Sequence, residues 1–247
     1  MRYLILSDMH ANWDAFEAVL RHARRKRFEA VLVLGDLVGY GGAPNQVVEA
    51  VRALPGRVWT VRGNHDKVVA GIDAGGGFNQ AALAAAQWTA GRLTRGNLRY
   101  VRELPQGPIE IAPGFVVCHG SPLDEDAYVF SDADAFEIFS AYPAQVIFFG
   151  HTHIPSLFSL ERRGIGVRAL RGARGRLVLD PARRYLINPG SIGQPRDRDP
   201  RAAYMTYDSD RAVVHWYRVP YAVRRAQARI RAAGLPNSLA ERLAVGT

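Results

Sequence analysis

The chain is 247 residues long, 48% hydrophobic, and carries a formal charge of +9 supplied almost wholly by arginine, which bounds it to one domain over residues 1–247 with a sizeable core. Those cations are spread along the sequence without interleaved aromatics, so charge permits phosphate-rich partners but does not by itself make a nucleic-acid binder. No apolar run approaches the ~18 residues of a membrane helix, strand-like residues start at Tyr3 and leave no room for a cleaved leader, and the one cysteine, Cys118, makes no internal disulfide, so a cytoplasmic location is expected.

Residues 2–7 (RYLILS) form an apolar run of strand length. Asn12 follows as an N-cap, and Trp13, Phe16, Leu20 and Ala23 recur at helical spacing over 12–27, with His22 on the solvated face. VLVL (31–34) reads as a strand buried on both faces. Pro44 suits the first turn of a helix reaching about Leu54, and RVWTV (57–61) is a third strand. This β-α-β-α-β order implies parallel strands with right-handed crossovers.

From 66 to about 104 the pattern turns helical, with Leu83, Ala86, Ala90 and Leu93 on one face behind the glycine-rich stretch GIDAGGG (71–77). It reads either as a small helical cap that selects substrate, hinged at Gly75–Gly77, or as an ordinary packed excursion. The second half is rich in strands: 115–118, 145–149, then runs near 156–160, 165–170, 176–179, 184–188, 202–207 and 212–218. A helix around 132–141 is capped by Ser131 or Asp132. The basic stretch 162–176 looks like the hairpin turns of a sheet edge, an arginine-rich helix spans about 221–233, and a polar tail follows Pro236.

Polar clusters follow the strands. SDMH ends the first, LGD the second and GNHD the third; VCHG and GHTH end two later ones. Asp8 to Asp36 and Asp36 to Asn64 are each 28 residues, one β-α repeat, so topology sets these residues side by side at the carboxyl ends of the strands, where open α/β sheets form their sites. Asp8, His10, Asp36, Asn64, His119, His151 and His153 make an oxygen and nitrogen set suited to Mn, Fe, Zn, Co or Ni. Seven ligands exceed the need of one ion with open positions, and a binuclear centre with one shared carboxylate accounts for the count. Two such ions hold a bridging water, lower its pKa from 15.7 towards about 7 and clamp an in-line displacement at phosphorus. His65, in excess of the ligand count, is then free to protonate the leaving oxygen or stabilise the transition state.

In this order SDMH, GDLVGYG, GNHD, VCHG and GHTH resemble the signature blocks of the calcineurin-like metallophosphoesterase superfamily, over residue 3 to about 196 if NPGSIGQPR is included. The resemblance implies an α/β fold, a four-layer α/β/β/α sandwich of two mixed sheets flanked by helices. It implies a first metal on Asp8, His10 and His153, a second on Asn64, His119 and His151, Asp36 as the bridge and His65 as the leaving-group acid. Asp66, completing GNHD, would orient a neighbour or cap a helix. Protein serine/threonine phosphatases and symmetrical dinucleoside tetraphosphatases resemble one another in a GDxVxRG block whose arginine binds phosphate, but here Tyr40 stands where the arginine would be and Gly39 where the protein phosphatases have aspartate. That favours the small bacterial phosphodiesterase-like branch, with a small phosphoester as substrate, nucleotides among the candidates. Tyr40 either contacts substrate or packs on Pro44 as a turn residue. Arg196 could pair with a substrate phosphate through its planar fork. Cys118 and His215 read as strand packing residues.

Two alternatives are carried forward. A nuclease would present a continuous arginine-lined groove leading to the metals. A non-catalytic metal-binding scaffold would have lost ligands or the acid histidine, and none is missing here.

Overall fold

The computed structural model describes all of residues 1–247. In chain order the elements are β1 (Arg2–Leu6), α1 (Trp13–Ala23), β2 (Ala30–Val33), α2 (Pro44–Arg52), β3 (Arg57–Thr60), α3 (Asn64–Ala70), α4 (Gln80–Ala90), α5 (Arg95–Arg102), β4 (Ile109–Ala112), β5 (Phe115–Val117), α6 (Asp132–Ala141), β6 (Val146–Phe148), β7 (Ser156–Glu161), β8 (Gly164–Ala169), β9 (Arg174–Val178), β10 (Arg184–Asn188), β11 (Ala202–Asp208), β12 (Val213–Val219), α7 (Val223–Ala232), α8 (Asn237–Glu241) and a 3-10 turn, Arg242–Ala244. No helix is long and apolar enough to cross a membrane.

Two six-stranded sheets result, ordered β3-β2-β1-β11-β12-β9 and β4-β5-β6-β10-β7-β8. Both are mixed: β1, β2 and β3 run parallel, as do β5, β6 and β10, while β11 and β7 join antiparallel. The side-chain period of two in a strand separates the layers. Tyr3 and Ile5 of β1 face Phe115, Val117, Val146 and Phe148 in the core between the sheets. Leu4 and Leu6 point the other way, onto Phe16 and Val19 of α1 and Val47 of α2. On the far side Val116 and Ile147 pack against Ile138 and Phe139 of α6. The four-layer α/β/β/α sandwich follows from this alternation, with helices α1, α2, α3 and α5 outside one sheet and α6 outside the other.

Local signals act as expected in α1, where the Asn12 side chain accepts from Ala15 N, in α2, which starts on Pro44, and in α6, capped by Ser131. Four expectations need correction. His22 is not simply solvated, because its Nδ1 lies 2.7 Å from Tyr204 Oη. The basic stretch 162–176 is not one edge: β8 ends the second sheet and β9 ends the first. Strand β4 was not expected. The polar tail is also ordered structure, since Leu239, Ala240 and Leu243 are buried against α7 and α4.

Candidate metal centre

Asp8, His10, Asp36, His119, His151 and His153 each lie in a sharp turn after a strand, while Asn64 and His65 open α3. The left-handed backbone region, costly for side-chain-bearing residues, holds Asp8 (φ 54°), His10 (47°), Asp36 (52°), Tyr40 (53°), His151 (65°) and His153 (62°). Each such residue costs about 1–3 kcal/mol unless the surroundings impose it. Here the turns clip one another: Asp8 N donates to Gly35 O, His10 N to Asp36 O, and Gly150 N to His119 O. Glycine lets them approach, and a Cβ on Gly63 would overlap the Asp36 carboxylate.

The turns bring the predicted residues together in two buried groups. Asp8, His10, Asp36 and His153 form one, Asp36, His119 and His151 the other, and within each group the candidate ligand atoms lie within 4.8 Å of one another. Asn64, first residue of α3, places Oδ1 3.3 Å from His119 Nε2. Each group draws on both sheets. Asp36 belongs to both: its Oδ1 accepts from His65 N at 2.9 Å, and its Oδ2 lies 3.4 Å from His10 Nε2 and 3.5 Å from His119 Nε2.

The donor chemistry fits a cation. His10 Nδ1 faces Val38 O (3.1 Å), His119 Nδ1 faces Leu34 O (2.7 Å) and His153 Nδ1 faces Gln194 O (2.6 Å). A carbonyl only accepts, so these nitrogens donate and a neutral ring presents a bare Nε2 to the site. His10 Nε2 and His153 Nε2 then meet lone pair to lone pair at 3.0 Å, an arrangement that a shared cation relieves. His151 is turned around, with Nε2 on Asp126 O at 3.0 Å.

Charge tells the same story. Burial would raise Asp8 and Asp36, but the imidazoles around them, His153 for Asp8 and His119 for Asp36, hold both carboxyls below their usual range. Burial keeps His10 and His153 neutral and pushes His151 down to about 3. His119 goes the other way: burial would lower it, yet Asp36 and Asp8 drive it up to about 10. Two buried carboxylates thus call for positive charge at the point where His119 meets them.

Around the groups lies a cleft of about 220 Å³ lined by His65, Tyr40, Phe78, Tyr128, Arg196 and Arg242, among others. His65 is buried, and burial holds its ring near 4 despite the Asp36 carboxylate. Its ring sits 4.3 Å from Tyr40 and 4.4 Å from Phe78, centroid to centroid. Tyr40 is buried beside it. It lines the cleft and its Oη accepts from Arg196 at 3.2 Å, while burial raises the phenol so that it stays protonated. Asp66 is a cap: it accepts from Gly63 N, Leu37 N and Val38 N, tying α3 to the Asp36 turn. Cys118 is buried under the site, and burial raises its thiol. His215 is a half-buried residue of β12.

Sequence reasoning missed Tyr128, Phe78 and Arg242. Tyr128 stacks on His151 at 3.9 Å and is itself stacked by Phe130 at 5.2 Å, both rings exposed. The only sequence signal was an aromatic pair ten residues beyond His119. Arg242 stood in what read as a polar tail, without any signal.

Comparison with known proteins agrees with this geometry. Residues 1–211 match the family model described as the calcineurin-like phosphoesterase superfamily domain. An uncharacterised protein of Methanocaldococcus jannaschii is 34% identical over 244 residues, covering 98% of this chain and 97% of that one. A metallophosphoesterase from Sphaerobacter thermophilus is 39% identical with a TM-score of 0.87, over 100% of this chain and 99% of that one. A hypothetical protein of Pyrococcus horikoshii shares the fold at 21% identity, with a TM-score of 0.80 over 100% of this chain and 98% of that one. The chain belongs to the calcineurin-like phosphoesterase superfamily, and its buried aspartate and histidine groups are the part of it able to hold metal.

Proposed function

We propose that the protein is a binuclear metal-dependent phosphoesterase that hydrolyses small phosphodiesters or phosphomonoesters, with nucleotide-type esters favoured. The observation that carries this is Asp36: one buried carboxylate completes both ligand groups, with a single oxygen between His10 and His119. Asp8, His10 and His153 with Asp36 would hold one ion, and Asn64, His119 and His151 with Asp36 the other. Two divalent ions there, with Mn first among the candidates, would neutralise phosphoryl oxygens and supply water of lowered pKa.

The chain's own residues do the rest. His65 lines the cleft beside Asp36 and Asn64 and donates to the leaving oxygen. Held near 4, it enters neutral, and the negative charge of a bound phosphate raises its proton affinity. Tyr40 and Arg196 present O–H and N–H donors to substrate phosphate oxygens. The exposed pair Tyr128 and Phe130 offers a flat face at the mouth for an aromatic or base-bearing ester, and the helical stretch 66–104, of which residues 77–79 and 82 line the cleft, serves as the cap that selects it.

A nuclease is less well supported. The broad basic cleft of Arg2, Arg25, Lys26, Arg27, Arg176 and Arg211 lies where β1 and β2 begin, at the opposite strand ends from the ligand residues. The test is direct: purified protein is assayed for metal content and for turnover of an aryl phosphodiester and an aryl phosphomonoester with Mn²⁺. Turnover that falls at least 10²-fold in His65→Ala is expected. Absence of turnover with every transition metal, or an undiminished variant, overturns the proposal.

A further inference from the structure

Arg196 and Arg242 both line the cleft. Neither pairs with a side-chain carboxylate. Arg196 donates to Tyr40 Oη at 3.2 Å and Gln194 Oε1 at 3.3 Å, both neutral, and its Nε is buried with no partner. Arg242 donates through Nε to the main-chain oxygen of Thr247, the last residue of the sequence. Burial and the facing Arg196 both push the Arg242 guanidinium below its usual value. Two guanidiniums thus stand half-buried in one cleft, with the Arg196 Nε left without an acceptor.

The fold invests in placing the second of them. Arg242 opens the 3-10 turn behind α8, and that segment is anchored by buried Leu239, Ala240 and Leu243 and by the bond from Gln227 Nε2 to Ala240 O at 2.9 Å. Gly246 closes the anchor: Arg198 N donates to its carbonyl at 2.8 Å, and a Cβ there would strike the Asp199 backbone. A merely solvated arginine needs none of this.

Charge decides what the pair is for. Two divalent ions set against Asp8, Asp36 and an attacking hydroxide would leave about one positive charge, so a phosphomonoester would draw on about one of the guanidiniums. A single phosphate then leaves the other guanidinium unmatched. We infer that Arg196 and Arg242 form a second anion subsite, so that the preferred substrates carry another phosphate next to the scissile one, as in a diphosphate ester. This rests on the phosphoesterase proposal for the identity of the scissile group. The planar forks suit two oxygens each, and Arg196 stands on the His153 side of the cleft, its N 3.4 Å from His153 O.

Titration calorimetry of the full chain, loaded with Mn²⁺, tests it with adenosine 5′-diphosphate and adenosine 5′-monophosphate at equal free Mn²⁺. The two probes differ by one phosphate, so the base cancels. The parent is expected to bind the diphosphate at least tenfold more tightly, Arg242→Gln to bring that ratio to about one or two, and Arg242→Lys to keep part of it. Arg163→Gln, an exposed arginine outside the cleft, should leave the ratio in place. A parent ratio near one, or an Arg242→Gln variant that melts like the parent and keeps the ratio, overturns the subsite. Aryl phosphate turnover is measured separately: preference without turnover removes the phosphoesterase proposal and leaves the subsite, whereas turnover without preference removes the subsite alone.

Discussion

Gly39 stands against the His65 ring so closely that a Cβ on it would overlap Nδ1, and its own φ of 87° disfavours any side chain. The same Nδ1 is buried without a hydrogen-bond partner, so the ring is located by shape and by its stack with Tyr40 and Phe78 rather than by bonding. Gly39→Ala should therefore displace His65 and leave the ligands in place. A fall in kcat of about 10²-fold, the size of a lost acid or a misplaced group, is expected with metal content unchanged. Parallel metal analysis and kinetics would check it, and loss of metal along with activity would contradict it.

Asp36 is the residue common to both ligand groups. Asp36→Asn should lower bound metal at both positions, whereas His10→Ala and His151→Ala should each affect mainly one. Plasma emission on dialysed protein reads this as the number of ions retained per chain. An Asp36→Asn protein holding the parental number would exclude the shared role.

Removing metal should also destabilise the fold. Two buried carboxylates and a set of bare imidazole nitrogens then face one another, with His119 alone, pushed up to about 10, to offset them. A ligand that binds only the folded state stabilises by mass action, about 4 kcal/mol at a thousand times its Kd. Chelator should lower the melting temperature by several degrees, and Mn²⁺ in excess should restore it.

Glu125 gives a pH-dependent case away from the ligands. It accepts from Arg62 at 3.0 and 2.8 Å and from Lys67 at 3.1 Å. Burial opposes ionisation, but these two cations hold the carboxyl below its usual 4.5. A depressed folded pKa contributes stability above the unfolded value, and that contribution is lost as pH falls through the lower folded one. Glu125→Gln should cost about 2 kcal/mol at pH 7, as charged hydrogen bonds do, and the gap to the parent should shrink once pH drops below about 4.5. Denaturant melts at several pH values would show a constant gap if the network were irrelevant.

The residues brought to the strand ends could be read from the chain because the β-α repeat is short and regular: 28 residues return the chain to the same sheet edge. The later histidines were legible too, each following an apolar run. What remained hidden depends on contacts across the sequence. Tyr128 reaches His151 only because Lys67, with Glu125 and Asp126, pins the loop that carries it. Arg242 reaches the cleft on a helix of five residues followed by one 3-10 turn, too short for a periodic pattern. Strand β4, four residues between prolines and a turn, gave no usable alternation either. His22 resembled its arginine neighbours until Tyr204, 182 residues away, supplied a partner.

Because each ligand group takes residues from both sheets, bound ions would act as rivets between two plates that otherwise meet through an oily layer. Apolar contacts such as those of Phe148 and Tyr207 resist separation but allow sliding, whereas coordination fixes one position along the slide. Metal affinity then becomes a gauge of how the plates are registered, sensitive to repacking well away from the cleft.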